Sequence, residues 1–375
     1  MKYWGLFILI ALVALGCIDP FNPSDTSTSS TYLVVNGFLN TSDTTTIVLS
    51  RTQSLSSTES PESVTGATVQ VIGSLGTTYT LTEQSSGTYV LLPMTFSSDE
   101  AFKLAIATPD GKQYESDEVA IKNSPDIDSI SFLPDKDNGI MRFTVTTHDP
   151  NNSTWFYRWK TEETFQYNAA YYSSLVVQNN EFVSRTTSLY TCWRTDLSGT
   201  ILINTSAKYT KDQIENNVVT TIDNSSPKLL IKYSLLVKQY ALTQDAYEYW
   251  DQLAKTTETT GGLFDPLPST VTGNIHCTTD SDELVFGYFS AGAVATLRRT
   301  FVPSDFNGWY PGSYLTCATT PDTLERDDAL GVTDAYQLII GSSDEEPSPL
   351  YYYVVPPSCA DCRTYGGSIT KPSWF

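Results

Sequence analysis

Histidine is nearly missing from this chain, at two residues in 375, and the 22 basic residues are outnumbered by 42 acidic ones. The two histidines, His148 and His276, lie far apart in sequence. Each reads as a loop or half-buried polar residue, not as half of a metal pair or as a general base. The shortage of cations leaves a net charge of −20, which repels phosphate backbones and argues against nucleic acid as a partner. Catalytic spacings are missing too. There is no G-x-S-x-G, no H-E-x-x-H, no Walker A loop and no strand-linked G-x-G-x-x-G, so no enzyme, cofactor or metal is expected. Forty-two carboxylates could supply the acid pair of a glycosidase, but the sequence selects no pair among them. After residue 16 no apolar run is long enough to cross a bilayer.

The one long apolar run is at the start. Lys2 is followed by Tyr3 to Leu15, with Gly16 directly before Cys17. That is the pattern of a secretory signal peptide, expected over residues 1–16. Ala14-Leu15-Gly16-Cys17 resembles the bacterial lipobox, with Ala14 where leucine is usual. The resemblance implies an acylated Cys17 that anchors the mature chain to a membrane. Residues 17–31 are mostly Pro, Ser, Thr and Asp, which bury too little surface to fold, so they read as a flexible tether.

From Tyr32 the apolar residues recur with a period of two between turn residues, the signature of half-buried antiparallel strands. Seven strands are expected, at Tyr32 to Leu39, Thr46 to Arg51, Ala67 to Gly73, Thr77 to Leu81, Thr88 to Leu92, Ala101 to Thr108 and Gln113 to Ile121. Pro109-Asp110-Gly111 supplies the turn between the last two. The fold class predicted is mainly β, with an immunoglobulin-like sandwich over residues 32–124. Asn123-Ser124-Pro125-Asp126 then breaks the pattern. Residues 125–375 read as a larger β-rich domain with a short helix over Lys208 to Asn216 and a firmer one near 244–257. Thr243 is its expected N-cap, Asp245 favours its dipole, and Ala246, Trp250, Leu253 and Thr257 share a face before Gly261-Gly262 ends it.

Six cysteines in an exported protein are disulfide material first. With Cys17 set aside, Cys192, Cys277, Cys317, Cys359 and Cys362 remain, an odd number that leaves at least one thiol unpaired. Cys359-Ala360-Asp361-Cys362 follows Pro356-Pro357 and does not open a helix after a strand, so it reads as a structural bridge and not as a redox site. Asp135, Asp137 and Asn138 before Gly139 miss the EF-hand spacing and read as a β-turn. Asp280-Ser281-Asp282-Glu283 and Asp344-Glu345-Glu346 read as solvated loops. Aromatics gather in Trp155-Phe156-Tyr157-Arg158-Trp159, Tyr167 with Tyr171-Tyr172, Trp309-Tyr310 and Tyr351-Tyr352-Tyr353. On alternating strands half should face the core and half remain for a glycan, a peptide or a protein interface, with Trp309 and Tyr310 as the ligand-binding candidates.

Several runs, taken in order, carry a family resemblance. They are Cys17-Ile18-Asp19-Pro20-Phe21, Leu33-Val34-Val35-Asn36-Gly37, the stretch from Thr108 to Ser116, Ala246-Tyr247-Glu248-Tyr249-Trp250, Gly262-Leu263-Phe264-Asp265, Gly273-Asn274-Ile275, Gly287-Tyr288-Phe289-Ser290-Ala291 and a tail with Cys359-x-x-Cys362, Gly366-Gly367 and Lys371-Pro372. Over the length of the chain these resemble the Bacteroidota lipoproteins grouped as DUF4249, a family with no assigned activity. The resemblance implies an outer-membrane location and a TonB-dependent transporter as partner, and carries no site residues. The expected function is therefore a non-catalytic accessory or ligand-capture lipoprotein. A surface adhesin or carbohydrate-binding protein is the alternative. Which face of the membrane it occupies stays open, with the cell surface favoured.

Overall fold

A computed structural model describes residues 31–54, 57–97, 99–258, 271–306, 309, 317, 320–343 and 349–375. The signal peptide, Cys17, the tether and Gly261-Gly262 lie outside the described residues. The architecture is mainly β, as the alternation implies.

Two face-to-face sheets enclose the first core. One runs in the order Val285–Gly292, Leu33–Asn40, Thr45–Arg51, Thr88–Leu91, Thr82–Ser85, and the other in the order Ile275–Cys277, Gln113–Ser116, Ala101–Ala107, Thr68–Gly73, Thr78–Thr80. Period-two alternation puts Phe102, Leu104 and Ile106 inside, together with Leu33, Val35 and Leu39. The second core lies between a three-stranded sheet, Ile127–Asp135, Ile140–His148 and Gln213–Asp223, and a sheet ordered Thr191–Leu197, Phe156–Asn168, Lys232–Ala241, Ala295–Phe301. Phe143, Tyr157, Trp159, Tyr233 and Phe301 fill it. A fifth sheet runs in the order Glu181–Ser184, Leu175–Gln178, Leu338–Ser342, Tyr351–Val355, Asp322–Glu325.

The chain does not divide once at residue 125. Ile275–Cys277 and Val285–Gly292 return to the first sandwich, where Val285–Gly292 pairs in parallel with Leu33–Asn40 from Leu33↔Val285 to Asn40↔Gly292. Such a parallel partner is supplied by a distant segment, and local periodicity carries no trace of it. The return is tight. Gly287 has φ +129° and a Cβ there would meet the Val35 carbonyl oxygen at 2.0 Å, which only glycine allows. Asn274 stands in for backbone, accepting from Phe289 N at 2.8 Å and donating to Phe289 O at 3.0 Å. The Gly273-Asn274-Ile275 run is thus explained by packing.

Two stretches of chain, near residues 121–126 and 291–295, cross between the sandwiches and are tied to one another. Lys122 N donates to Ala291 O, Ser124 N to Ala293 O, and Ala293 N to the Asn123 side chain. Buried Gln239 then clamps the first crossing to the second sandwich. It accepts from Trp159 Nε1 at 2.8 Å and donates to Pro125 O at 2.9 Å and Thr147 Oγ1 at 3.0 Å.

Three expectations are corrected. Lys208 to Asn216 forms no helix: a turn there leads into the Gln213–Asp223 strand, whose buried Ile214, Val219 and Ile222 lose the period of two because its pairing with Ile140–His148 slips register twice. The longer helix runs Gln244–Glu258 with Thr243 Oγ1 accepting from Ala246 N. Its buried face is Ala246 and Tyr249, while Thr257 is exposed. Glu283 does not belong to a solvated loop. Its side chain is 5% exposed and holds Tyr114 OH at 2.6 Å, Lys112 and Arg51.

Candidate functional site

The outer faces of two sheets, one from each sandwich, meet as the walls of a cleft of about 550 Å³. One wall comes from Leu33–Asn40 and its neighbours. Its inward residues are Val35 and Leu39, so Asn36, Phe38 and Asn40 face out, beside Thr46, Val48, Tyr288 and Ser290. The other wall comes from Phe156–Asn168 and Lys232–Ala241. Burying Tyr157 and Trp159 turns Arg158 and Lys160 outward, and burying Val237 and Gln239 does the same for Lys238 and Tyr240. The walls touch where Phe38 meets Tyr240 edge to face, ring centroids 5.0 Å apart. Trp250, from the Gln244–Glu258 helix, closes one end.

Register fixes the charges on the second wall. Arg158 is opposite Tyr240, and Lys160 is directly opposite Lys238. Like charges facing each other across a strand pair repel and destabilise the sheet. Lys238 is paired with Glu162. Among the described residues neither Arg158 nor Lys160 has a carboxylate within ion-pair distance. Arg158 instead lies flat over the Trp250 ring, 3.4 Å from its centroid, and its Nε is buried without a hydrogen-bond partner. Burial pulls the Arg158 pKa down to about 10, partly offset by Tyr240 and Tyr249, and at neutral pH it keeps its charge. Burial first, then repulsion from Arg158 and Lys238, pulls Lys160 down to about 8. Among the described residues, the only other charged one lining the cleft is Asp43. In a chain of net charge −20, this cleft has the opposite sign.

The expected site residues fall elsewhere. Trp309 is 5% exposed and packs in the second core against Phe306, so it is not a ligand platform. Tyr310 lies outside the described residues, as do Gly262 to Asp265 and Asp344 to Glu346. Cys359 and Cys362 do not bridge to each other. Cys362 pairs with Cys192 and Cys359 with Cys317, and Cys277 is left as a buried free thiol. The C-x-x-C therefore staples the second core to the fifth sheet, because Cys362 belongs to the former and Cys359 packs with Leu338 and Val355 of the latter. Asp135 accepts from Asn138 N and pairs with Arg142 in a hairpin turn. No group of ligands suited to a metal ion occurs among the described residues. Both histidines are exposed, His148 beside Asp128 and His276 beside Asp117.

Sequence reading saw the Trp155 to Trp159 run only as an aromatic cluster. Its signal for the cleft was available, since the alternation that sends Tyr157 and Trp159 inward sends two cations outward together.

Two other buried carboxylates are satisfied by hydrogen bonds. Asp149 accepts from Ser153 N, Thr154 N and Asn151 N, and despite its burial these hydrogen bonds hold its pKa at about 2. Asp212 accepts from Trp155 N, Tyr157 OH and Ser206 Oγ. These two carboxylates hold a turn closed, and Asp149 also lines another cleft together with Asp126 and Asp128.

No helix among the described residues is long and apolar enough to cross a membrane. No curated protein matches the chain. Among solved structures it is similar to a two fibronectin type-III domain segment from chicken tenascin, at 11% identity over 56% of this chain and 90% of that one. The TM-score of 0.16 is too low to carry an argument. The family model described as a domain of unknown function, DUF4249, matches residues 18–298. The first sandwich, the whole cleft and the second sandwich as far as the middle of its Ala295–Phe301 strand fall within that span, whereas Cys317, Cys359 and Cys362 lie beyond it. On that match the chain belongs to the DUF4249 family.

Proposed function

We propose that this chain is a lipid-anchored envelope protein of the bacterial outer membrane that captures a ligand in the cleft between its sandwiches and works beside a TonB-dependent transporter. It performs no chemistry of its own in this reading. The observation that carries it is the cleft: a concave site with braced walls, three convergent cations and aromatic side chains, of a size suited to a small ligand. The lipobox resemblance at Cys17 supports the anchor, and the acidic exterior suits a protein that must stay dispersed at a surface. Two measurements test it. Labelled palmitate should enter the wild-type chain and not Cys17→Ser, and purification from native membranes in mild detergent should recover a β-barrel partner. Repeated recovery of the lipoprotein without a barrel would remove the transporter from the proposal.

A second reading, adhesion through a glycan, is favoured by the fifth sheet, where Tyr351 and Tyr353 stay exposed on one face while Tyr352 is buried. Exposed aromatic faces suit sugar rings. Glycan-array binding lost on Tyr351→Ala with Tyr353→Ala, and retained in cleft variants, would move the function to that sheet.

A further inference from the structure

Resting on the capture reading above, we infer that the cleft takes a small multivalent oxyanion, a ligand with two or more carboxylate, phosphate or sulfate groups held between Arg158 and the Lys160–Lys238 pair. Three observations converge on this. Lys160 and Lys238 are register partners on one face, an arrangement that costs stability unless an anion sits between them. Arg158, on the same face, has no carboxylate partner among the described residues and a buried Nε with nothing to bond, so its donors are unspent. The guanidinium is held flat by the Trp250 ring, a preorganised orientation suited to a planar carboxylate or a tetrahedral phosphate.

The charged and titratable groups around Lys160 are few. Its own strand supplies Arg158 and Glu162, the neighbouring strand Lys238 and Tyr240, and the opposite wall Asp43 and Tyr288. Glu162 is engaged by Lys238, leaving a local excess of positive charge. The remaining lining is rich in neutral polar groups, including Asn36, Asn40, Thr46, Ser290 and Thr296, which supply hydrogen bonds to the ligand's uncharged atoms. An oxyanion entering this site exchanges water for fixed cations where screening is weak.

The test is calorimetric titration of the full lipoprotein in neutral detergent at pH 7 and constant ionic strength. The probes are pyrophosphate, citrate and digalacturonate, with maltose as an uncharged control. At least one anion should bind, and which one binds separates phosphate from carboxylate from acidic sugar. Arg158→Gln and Lys160→Gln should each weaken that binding tenfold or more, while Lys160→Arg keeps it. Should Arg158→Gln fold poorly, Thr296→Glu, which sets a carboxylate beside Lys238 on the adjoining strand, should produce the same loss. Binding of no anion, or binding unchanged in these variants, overturns the inference. Maltose bound instead, and lost on Ser290→Trp, which fills the cleft, overturns the anion while leaving capture standing.

Discussion

The two ends of one strand, Phe156–Asn168, treat charge in opposite ways. Toward its C-terminal end Glu163 is 7% exposed and every oxygen is used. Thr220 Oγ1 donates at 3.0 Å, Tyr233 OH at 2.9 Å and Lys228 Nζ at 3.1 Å, and Lys228 also reaches Asp196 at 3.0 Å. Toward its N-terminal end Arg158 and Lys160 are half-buried with no acid partner among the described residues. Matched charge of the first kind holds a fold together at modest net gain. Unmatched charge of the second kind lowers stability and is retained where something arrives to neutralise it. The contrast within thirteen residues is what separates scaffold from site.

The largest expected effect sharpens this contrast by loosening the scaffold alone. The Cys192–Cys362 bond spans 170 residues and closes the sandwich that contains Glu163. Cys192→Ala with Cys362→Ala should lower unfolding stability by about 5 kcal/mol, from the entropy restored to the unfolded chain. Denaturant unfolding measures it, and in conditions where the variant is folded, anion binding should be unchanged. Next is Glu163→Leu, which leaves the buried Tyr233 hydroxyl without its acceptor and Lys228 with Asp196 alone, and should cost about 2 kcal/mol. A loss under 1 kcal/mol would mean that the matched end contributes no more than an exposed pair.

The smallest effect has the opposite sign. Lys160→Met should stabilise the empty protein by about 1–2 kcal/mol at pH 6.5, after discounting for partial exposure. The folded-state pKa of Lys160 is depressed to about 8, so its charge is a penalty to folding that is fully present below that value. The penalty fades as pH rises from about 8 toward the ordinary lysine range, because over that interval the unfolded chain holds the proton that the folded chain has released. The gap between variant and wild type should therefore close by about pH 10.5. A gap that does not change with pH would assign the gain to packing and erase the contrast.

Much of the fold was legible because alternation reports which face of a strand is buried. It placed Phe102, Leu104 and Ile106 inside, and the division of each aromatic cluster between core and surface is seen in buried Tyr352 between exposed Tyr351 and Tyr353. Alternation failed where register slips break the period, as in Gln213–Asp223, and where a strand's partner comes from a distant segment, as with Val285–Gly292 on Leu33–Asn40. Trp309 was misread because a lone aromatic in a loop has no period to reveal its direction. The cleft was half legible. Arg158 and Lys160 two positions apart on a strand imply one face, but the facing of Lys160 and Lys238 is a fact of register, and the opposite wall belongs to another sandwich.

The waist where two lengths of backbone cross side by side, with Gly292 so close to the Lys122 carbonyl oxygen that a Cβ would lie 1.8 Å from it, has a consequence for how recognition proceeds. A hinge made of one strand lets two lobes swing shut on their catch. A doubled, hydrogen-bonded waist resists that swing, so under the proposed capture the mouth should keep the same width whether vacant or filled. Selection among visitors then rests on fit and sign at the entrance, and release needs no unlocking step.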